Sequence, residues 1–184
     1  ERFEKFQQLG EQEEDASSAT LMVDDLMKLS MSRSNMGFKK VNSLGVGVDE
    51  TTERALWVDV LGIRNPSEIV EVRVPYNREA SDDTRGSLAM AVALELANSI
   101  TGTENRRTIR FAFLPSGTNS EPVARRYQAI YDDRQARLIA GFELVESPDL
   151  DPGRLCDADG VLDGDAALAV AQRLRKEIVD VANQ

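Results

Sequence analysis

From residue 54 to the C-terminus, two kinds of hydrophobic pattern take turns along the chain. Arg54-Ala-Leu-Trp-Val-Asp-Val-Leu61 is rich in β-branched and aromatic residues, and Ile69-Val-Glu-Val-Arg-Val-Pro75 alternates apolar and charged side chains, as a half-buried strand does. Gly62, Asn65 and Pro66 lie between them as turn residues, so the two strands are expected to form a hairpin. Val41 to Val48 reads as a weaker strand before them. Gly86 to Ile100 is apolar nearly all round (Leu88, Met90, Val92, Leu94, Leu96, Ile100), which predicts a buried helix with Asp82 and Asp83 just before its start. Arg107-Thr-Ile-Arg-Phe-Ala-Phe-Leu114 is the next strand, closed by Pro115 and Gly117. A helix then opens at Ser120-Glu-Pro122, with Ser120 as N-cap, and runs to Asp133. Leu138 to Val145 is a strand, Pro148 to Gly160 an acidic loop, and Asp163 to Ala182 an amphipathic helix on Leu168, Ala171, Leu174, Ile178 and Val181.

Strand, helix, strand, helix, strand, helix after the first pair predicts an α/β fold: a three-layer α/β/α sandwich on a mixed, largely parallel sheet. Upstream, Leu21, Met22, Leu26 and Leu29 mark a further amphipathic helix over Ala19 to Leu29, whose stripe is expected to dock on the main domain. Residues 1–18, with Glu11, Glu13, Glu14 and Asp15, read as a polar arm or linker, and 19–184 as a single domain.

Composition narrows the chemistry. The net charge of −10 repels phosphate backbones and anionic headgroups, so nucleic acid is not an expected partner. No stretch reaches the ~20 apolar residues of a membrane span, so this segment is not expected to insert; a chain that opens on Glu1 leaves room for an upstream signal or anchor. Cys156 has no thiol partner for an internal disulfide and reads as a small packing side chain. The most restrictive count is histidine, of which there is none. That removes His-based triads and most hydrolytic zinc sites, leaving carboxylates, hydroxyls and lysine.

Four local patterns, in order and at matching spacing, resemble the co-catalytic zinc aminopeptidase family, which includes bacterial leucyl aminopeptidases, glutamate carboxypeptidases and glutaminyl cyclases. The resemblance spans residues 55 to the last helix. Where that family ends a strand in Ala-His-Tyr-Asp, with the histidine on zinc, this chain has Val74-Pro75-Tyr76-Asn77. The family's Asp-Asp-Asn-Gly-Ser-Gly, whose first aspartate bridges two metals, is matched by Asp82-Asp83-Thr84-Arg85-Gly86-Ser87. The family strand ending in Gly-Glu-Glu, general base then zinc ligand, becomes Ser116-Gly117-Thr118, and Tyr127 stands nine residues after Thr118, as the family's tyrosine does after its second glutamate. Finally, Glu143 aligns with a zinc-binding aspartate.

The resemblance therefore implies a vestigial pocket at Pro75, Tyr76, Asn77, Asp82, Asp83, Gly117, Thr118 and Glu143, in which Asp82 and Glu143 are the remaining metal candidates among five ligand positions. Two carboxylates do not complete a tetrahedral zinc site, and no base is left for a zinc-bound water, so no catalytic residue, metal or other cofactor is expected. What it implies is an inactive peptidase-like domain working outside the cytoplasm as an interaction or scaffolding module with a protein partner, as in family relatives such as nicastrin and the transferrin receptor. The alternatives are a hydrolase of altered chemistry on a one-metal carboxylate site, or a ligand-binding domain that reuses the old pocket.

Other candidates have plainer readings. Asp149, Asp151, Asp157, Asp159, Asp163 and Asp165 lack the spacing of a calcium loop. Ser116 has neither a Gly-x-Ser-x-Gly frame nor a histidine and reads as a turn serine. Arg125, Arg126, Arg134 and Arg137 are expected to pair locally with Asp132 and Asp133, or else to meet an acidic partner. Trp57 reads as core, with an indole N–H in need of an acceptor.

Overall fold

A computed structural model describes residues 41–45, 54–76, 84–116, 120–133, 135–144, 151, 155 and 163–184, with only the backbone at 84–87, 133 and 164. Five strands, β1 (Asn42–Gly45), β2 (Arg54–Val60), β3 (Asn65–Tyr76), β4 (Arg107–Pro115) and β5 (Arg137–Glu143), form one sheet in the order β1-β2-β4-β3-β5. Three helices accompany them: α1 (Thr84–Ile100), α2 (Glu121–Asp133) and α3 (Gly164–Asn183). β1 with β2 and β2 with β4 are antiparallel, while β4 with β3 and β3 with β5 are parallel. The expected helix at Ala19 to Leu29, the arm before it, Cys156 and most of the acidic loop lie outside the described residues.

The expected hairpin is not formed, because β4 lies between β2 and β3. β3 takes a parallel partner on each side, β4 and β5, and its middle, Ile69 to Val72, is buried on both faces as inner parallel strands are. Residues 61–64 instead cross the start of β4. The N–H groups of Ile63, Arg64 and Asn65 donate to the carbonyls of Asn105 and Arg106 at 2.8–3.2 Å, and Gly62 N–H donates to Thr108 Oγ1 at 3.1 Å. The crossing is so close that a Cβ on Gly62 would lie 2.4 Å from the carbonyl carbon of Arg107. Gly62→Ala is thus expected to destabilise by about 1–3 kcal/mol or more through overpacking against backbone, read as a lower urea midpoint.

Alternation along the inner strands divides two cores between the sheet's faces. Leu56, Val58 and Val60, Val70, Val72 and Val74, and Ile109, Phe111 and Phe113 face α1 and α3. Ala55, Trp57, Ile69, Ala112 and Leu114 face α2. This is the expected three-layer sandwich. α1 buries most of its circumference, including Leu88, Ala89, Ala93, Leu94, Leu96, Ala97 and Ile100 at 0% exposure, as its apolar sequence requires. α3 begins on Asp163, whose carboxylate accepts from the N–H groups of Asp165 (3.0 Å) and Ala166 (3.1 Å), satisfying two donors of the first turn. Its far end is tied to the sheet by Arg107 Nη1 to Val181 O (2.9 Å) and Arg106 Nη1 to Gln184 O (2.9 Å), arginines meeting the carbonyls that a helix leaves open.

Candidate functional site

Parallel strands bring their C-terminal ends to one edge of a sheet, where open α/β folds place their ligands. Here β3 ends on Pro75 and Tyr76, in register with Leu114 and Pro115 of β4, and Ser116 N–H donates to Tyr76 O at 2.7 Å. Ser116 directly follows the end of β4. The ladder between β3 and β5 stops at Arg73 and Glu143, so Pro75 lies past the point where β3 has two partners, and a residue without an N–H costs least there. Tyr76 is 2% exposed and its hydroxyl donates to the carbonyl of Arg54, which ties the side chain back to β2. Glu143 is exposed, across from Arg73 and two residues short of Pro75 in register. Asn77, Asp82, Asp83, Gly117 and Thr118 lie outside the described residues. Among the described residues, no three His, Cys, Asp or Glu side chains come together as a metal site.

Beneath α2 lies a group of polar side chains that the sequence pattern does not announce. Register aligns Asp59 of β2, Arg110 of β4 and Glu71 of β3 in one row across three adjacent strands. Glu71 is 0% exposed. One of its oxygens accepts from Arg73 Nε (3.0 Å) and Nη2 (2.7 Å); the other accepts from Tyr127 Oη (2.6 Å) and from Tyr131 Oη. Arg110, 3% exposed, meets Asp59 in a two-pronged pair at 2.7 and 3.0 Å. Its guanidinium carbon lies 5.7 Å from the ring centre of Trp57 and 5.3 Å from that of Tyr131. Trp57 meets Tyr127 edge to face at 5.4 Å, and Tyr127 meets Tyr131 likewise at 6.0 Å. Two anions and two cations alternate here, each held by a forked or shared hydrogen bond, the arrangement under which buried charge is tolerated.

The electrostatic consequences follow from burial and from these partners. Burial, then the charge of Glu71, raises the pKa of Tyr127 and of Tyr131 well above the ordinary phenol value, so both hydroxyls stay donors. Burial works against the cation at Arg110, but the hydrogen bonds and charge of Asp59 outweigh it and raise its pKa. At Arg73 burial is again opposed, by Glu71 and then by Glu143, with a net rise. On the far edge of the sheet, hydrogen bonding to Arg107 is the first cause of a lowered Glu68 pKa.

Trp57 is core, as expected, at 3% exposure, but its Nε1 finds no hydrogen-bond partner among the described residues, and neither does Nη1 of Arg110. The basic group pairs differently from expectation: Arg125 reaches Glu121 one turn back (2.5 Å) and Arg137 reaches Glu68 on β3 (2.7 Å). Glu121 stands at helical spacing from Arg125, and β5 runs beside β3, which brings Arg137 to Glu68. Arg134 lies outside the described residues.

No protein-family model matches the chain, and no curated protein matches it in sequence. Solved structures do. The glutaminyl cyclase of Fimbriiglobus ruber superposes with a TM-score of 0.56 over 77% of this chain and 59% of its own, at 12% identity. The LapA aminopeptidase of Legionella pneumophila gives 0.56 over 77% and 41%, at 14% identity, and LapB from the same organism 0.53 over 77% and 41%, at 16% identity. The chain thus spans about two-fifths to three-fifths of the length of these neighbours. Its fold is that of the aminopeptidase and glutaminyl cyclase structures, a three-layer α/β sandwich on a mixed sheet.

Proposed function

We propose that this chain is a peptidase-like domain without hydrolytic turnover, acting outside the cytoplasm as an interaction or scaffolding module for a protein partner. The observation that carries the reading is Pro75. It is the last residue but one of β3, where the resemblance puts the first zinc ligand, and its side chain has no atom that can bind a metal. The whole chain contains no histidine to take its place. Asp82 and Glu143 supply two carboxylates at most, against the three or four protein ligands of a zinc site. Tyr76, next to Pro75, has its hydroxyl engaged by the Arg54 carbonyl. The fold itself does not choose a reaction, since its structural neighbours are named for both peptide cleavage and glutaminyl cyclisation.

The test is metal content and turnover on the same preparation. After incubation with zinc and removal of loose metal, purified protein is expected to retain less than about one zinc per chain, short of the complement a closed ligand set holds, and to release no amino acid from aminoacyl anilides above buffer. Two retained zinc ions per chain with zinc-dependent release would sink the proposal. One tightly held ion that Glu143→Ala abolishes would support the one-metal alternative instead.

A further inference from the structure

The two faces of the sheet are covered by different chemistry. On the α1 and α3 side the buried cluster is aliphatic and aromatic, with Arg106 and Arg107 meeting the far end of α3, so separating the layers mainly exposes apolar surface. On the other side α2 fully buries a single stripe, Val123, Tyr127 and Tyr131, while Ala124, Arg125, Arg126, Gln128, Ala129 and Asp132 remain exposed. Two of those three buried side chains end on one carboxylate, Glu71. The floor beneath them joins the apolar side chains of Ala55, Trp57, Ile69, Ala112 and Leu114 to the row Asp59, Arg110, Glu71, and that row hydrates as soon as the helix lifts. Trp57 Nε1 and Arg110 Nη1, two buried donors with no partner among the described residues, gain water in the same step. Two residues past the end of α2, Gln135 stands at φ 51°, a left-handed conformation that glycine adopts at lower cost.

We propose that α2 lifts from the sheet as a unit, in a sub-global opening that leaves the α1 and α3 side folded and uncovers Glu71, Arg110 and Trp57. Docking combines an apolar patch with a polar clasp that is either closed or hydrated, and the clasp gives the helix two discrete states.

Hydrogen exchange on the full chain tests this. Amides of α2 are expected to exchange through a common opening on the order of a hundred times more often than those of α1 and β4, with weak denaturant dependence. The lone tryptophan makes the indole N–H a single resonance, and it should exchange with α2 rather than with β2, which carries it. Two variants separate local from global opening. Tyr131→Phe removes one clasp bond and should raise α2 exchange about ten-fold. Val92→Ala in α1 weakens packing that both states share, so it should raise exchange in α1 and β4 about ten-fold and leave α2 unchanged. If Val92→Ala raises α2 exchange as much as α1 exchange, or if the indole N–H is protected to the level of β4, α2 opens only when the chain unfolds and the proposal is overturned.

Discussion

Alanine in place of Glu71 is expected to lower the unfolding free energy by about 3–5 kcal/mol, the range for a buried ion pair broken from one side. The carboxylate is 0% exposed and accepts four hydrogen bonds, so its loss strands the hydroxyls of Tyr127 and Tyr131, which are 1% and 3% exposed. Arg73, at the open side of the group, turns to solvent at smaller cost, since its side chain is already 33% exposed. Glutamine at the same position should recover little. Arg73 can only donate and so claims the amide's oxygen, which leaves the NH2 to donate to the tyrosine oxygens, and both hydroxyls then lose the charged acceptor they share. Urea unfolding followed by far-UV circular dichroism checks both variants. Near-wild-type stability of Glu71→Gln would show that shape, and not an acceptor-only group, is what the site requires. The free energy that holds α2 down sets the ceiling on either loss, because beyond it the helix simply lifts.

That Glu71 is buried could not be taken from its own strand. In Ile69-Val-Glu-Val-Arg-Val the charged positions read as a solvated face, and the alternation itself was correct: Val70, Val72 and Val74 do point to one core. What the strand cannot reveal is a helix over its other face. The signal lies in three segments taken together. Asp59, Glu71, Arg73 and Arg110 sit at alternating positions of three inner strands with balanced sign, and α2 presents Val123, Tyr127 and Tyr131 one turn apart. A stripe of tyrosines packs poorly on aliphatic floor and well on a charged row that accepts its hydroxyls. Helix and strand positions were otherwise legible because period and capping are local: α3 covers the stretch expected to be helical, and Ser120 stands directly before α2 with its carbonyl accepting from Ala124 N–H. Strand order was not, since the place of β4 between β2 and β3 depends on residues some forty positions apart and on the absence of a side chain at Gly62. At the sheet edge, sequence and structure meet only on Pro75, Tyr76, Ser116 and Glu143. All four stand at or next to the ends of β3, β4 and β5, and the chemistry proposed there rests on what a proline and a carboxylate can do.

Raising the pH should loosen the α2 side of the sheet steeply once the unfolded chain's tyrosines begin to ionise, at about pH 10. Burial and the neighbouring Glu71 charge raise the folded-state pKa of Tyr127 and Tyr131, so the native chain holds two protons that the unfolded chain releases. The sign follows from linkage. A group whose pKa is raised on folding contributes its full stability below the unfolded pKa and loses it as pH climbs toward the folded one. Each tyrosine therefore steepens the fall by up to about 1.4 kcal/mol per pH unit above that point. Arg110 and Arg73 keep their charge across this window, because Asp59 and Glu71 hold their pKa values above the ordinary guanidinium value. The double variant Tyr127→Phe with Tyr131→Phe should be the less stable protein near neutrality and the one whose stability depends less on alkali. Urea midpoints measured from about pH 8 to about pH 12, on either side of the tyrosine pKa, check this, with tyrosinate absorbance followed alongside. Parallel curves for the two proteins would place the ionising groups elsewhere and deny the tyrosines their role at Glu71. A curve that flattens only in the double variant ties the alkaline transition to the same two hydroxyls that fasten α2.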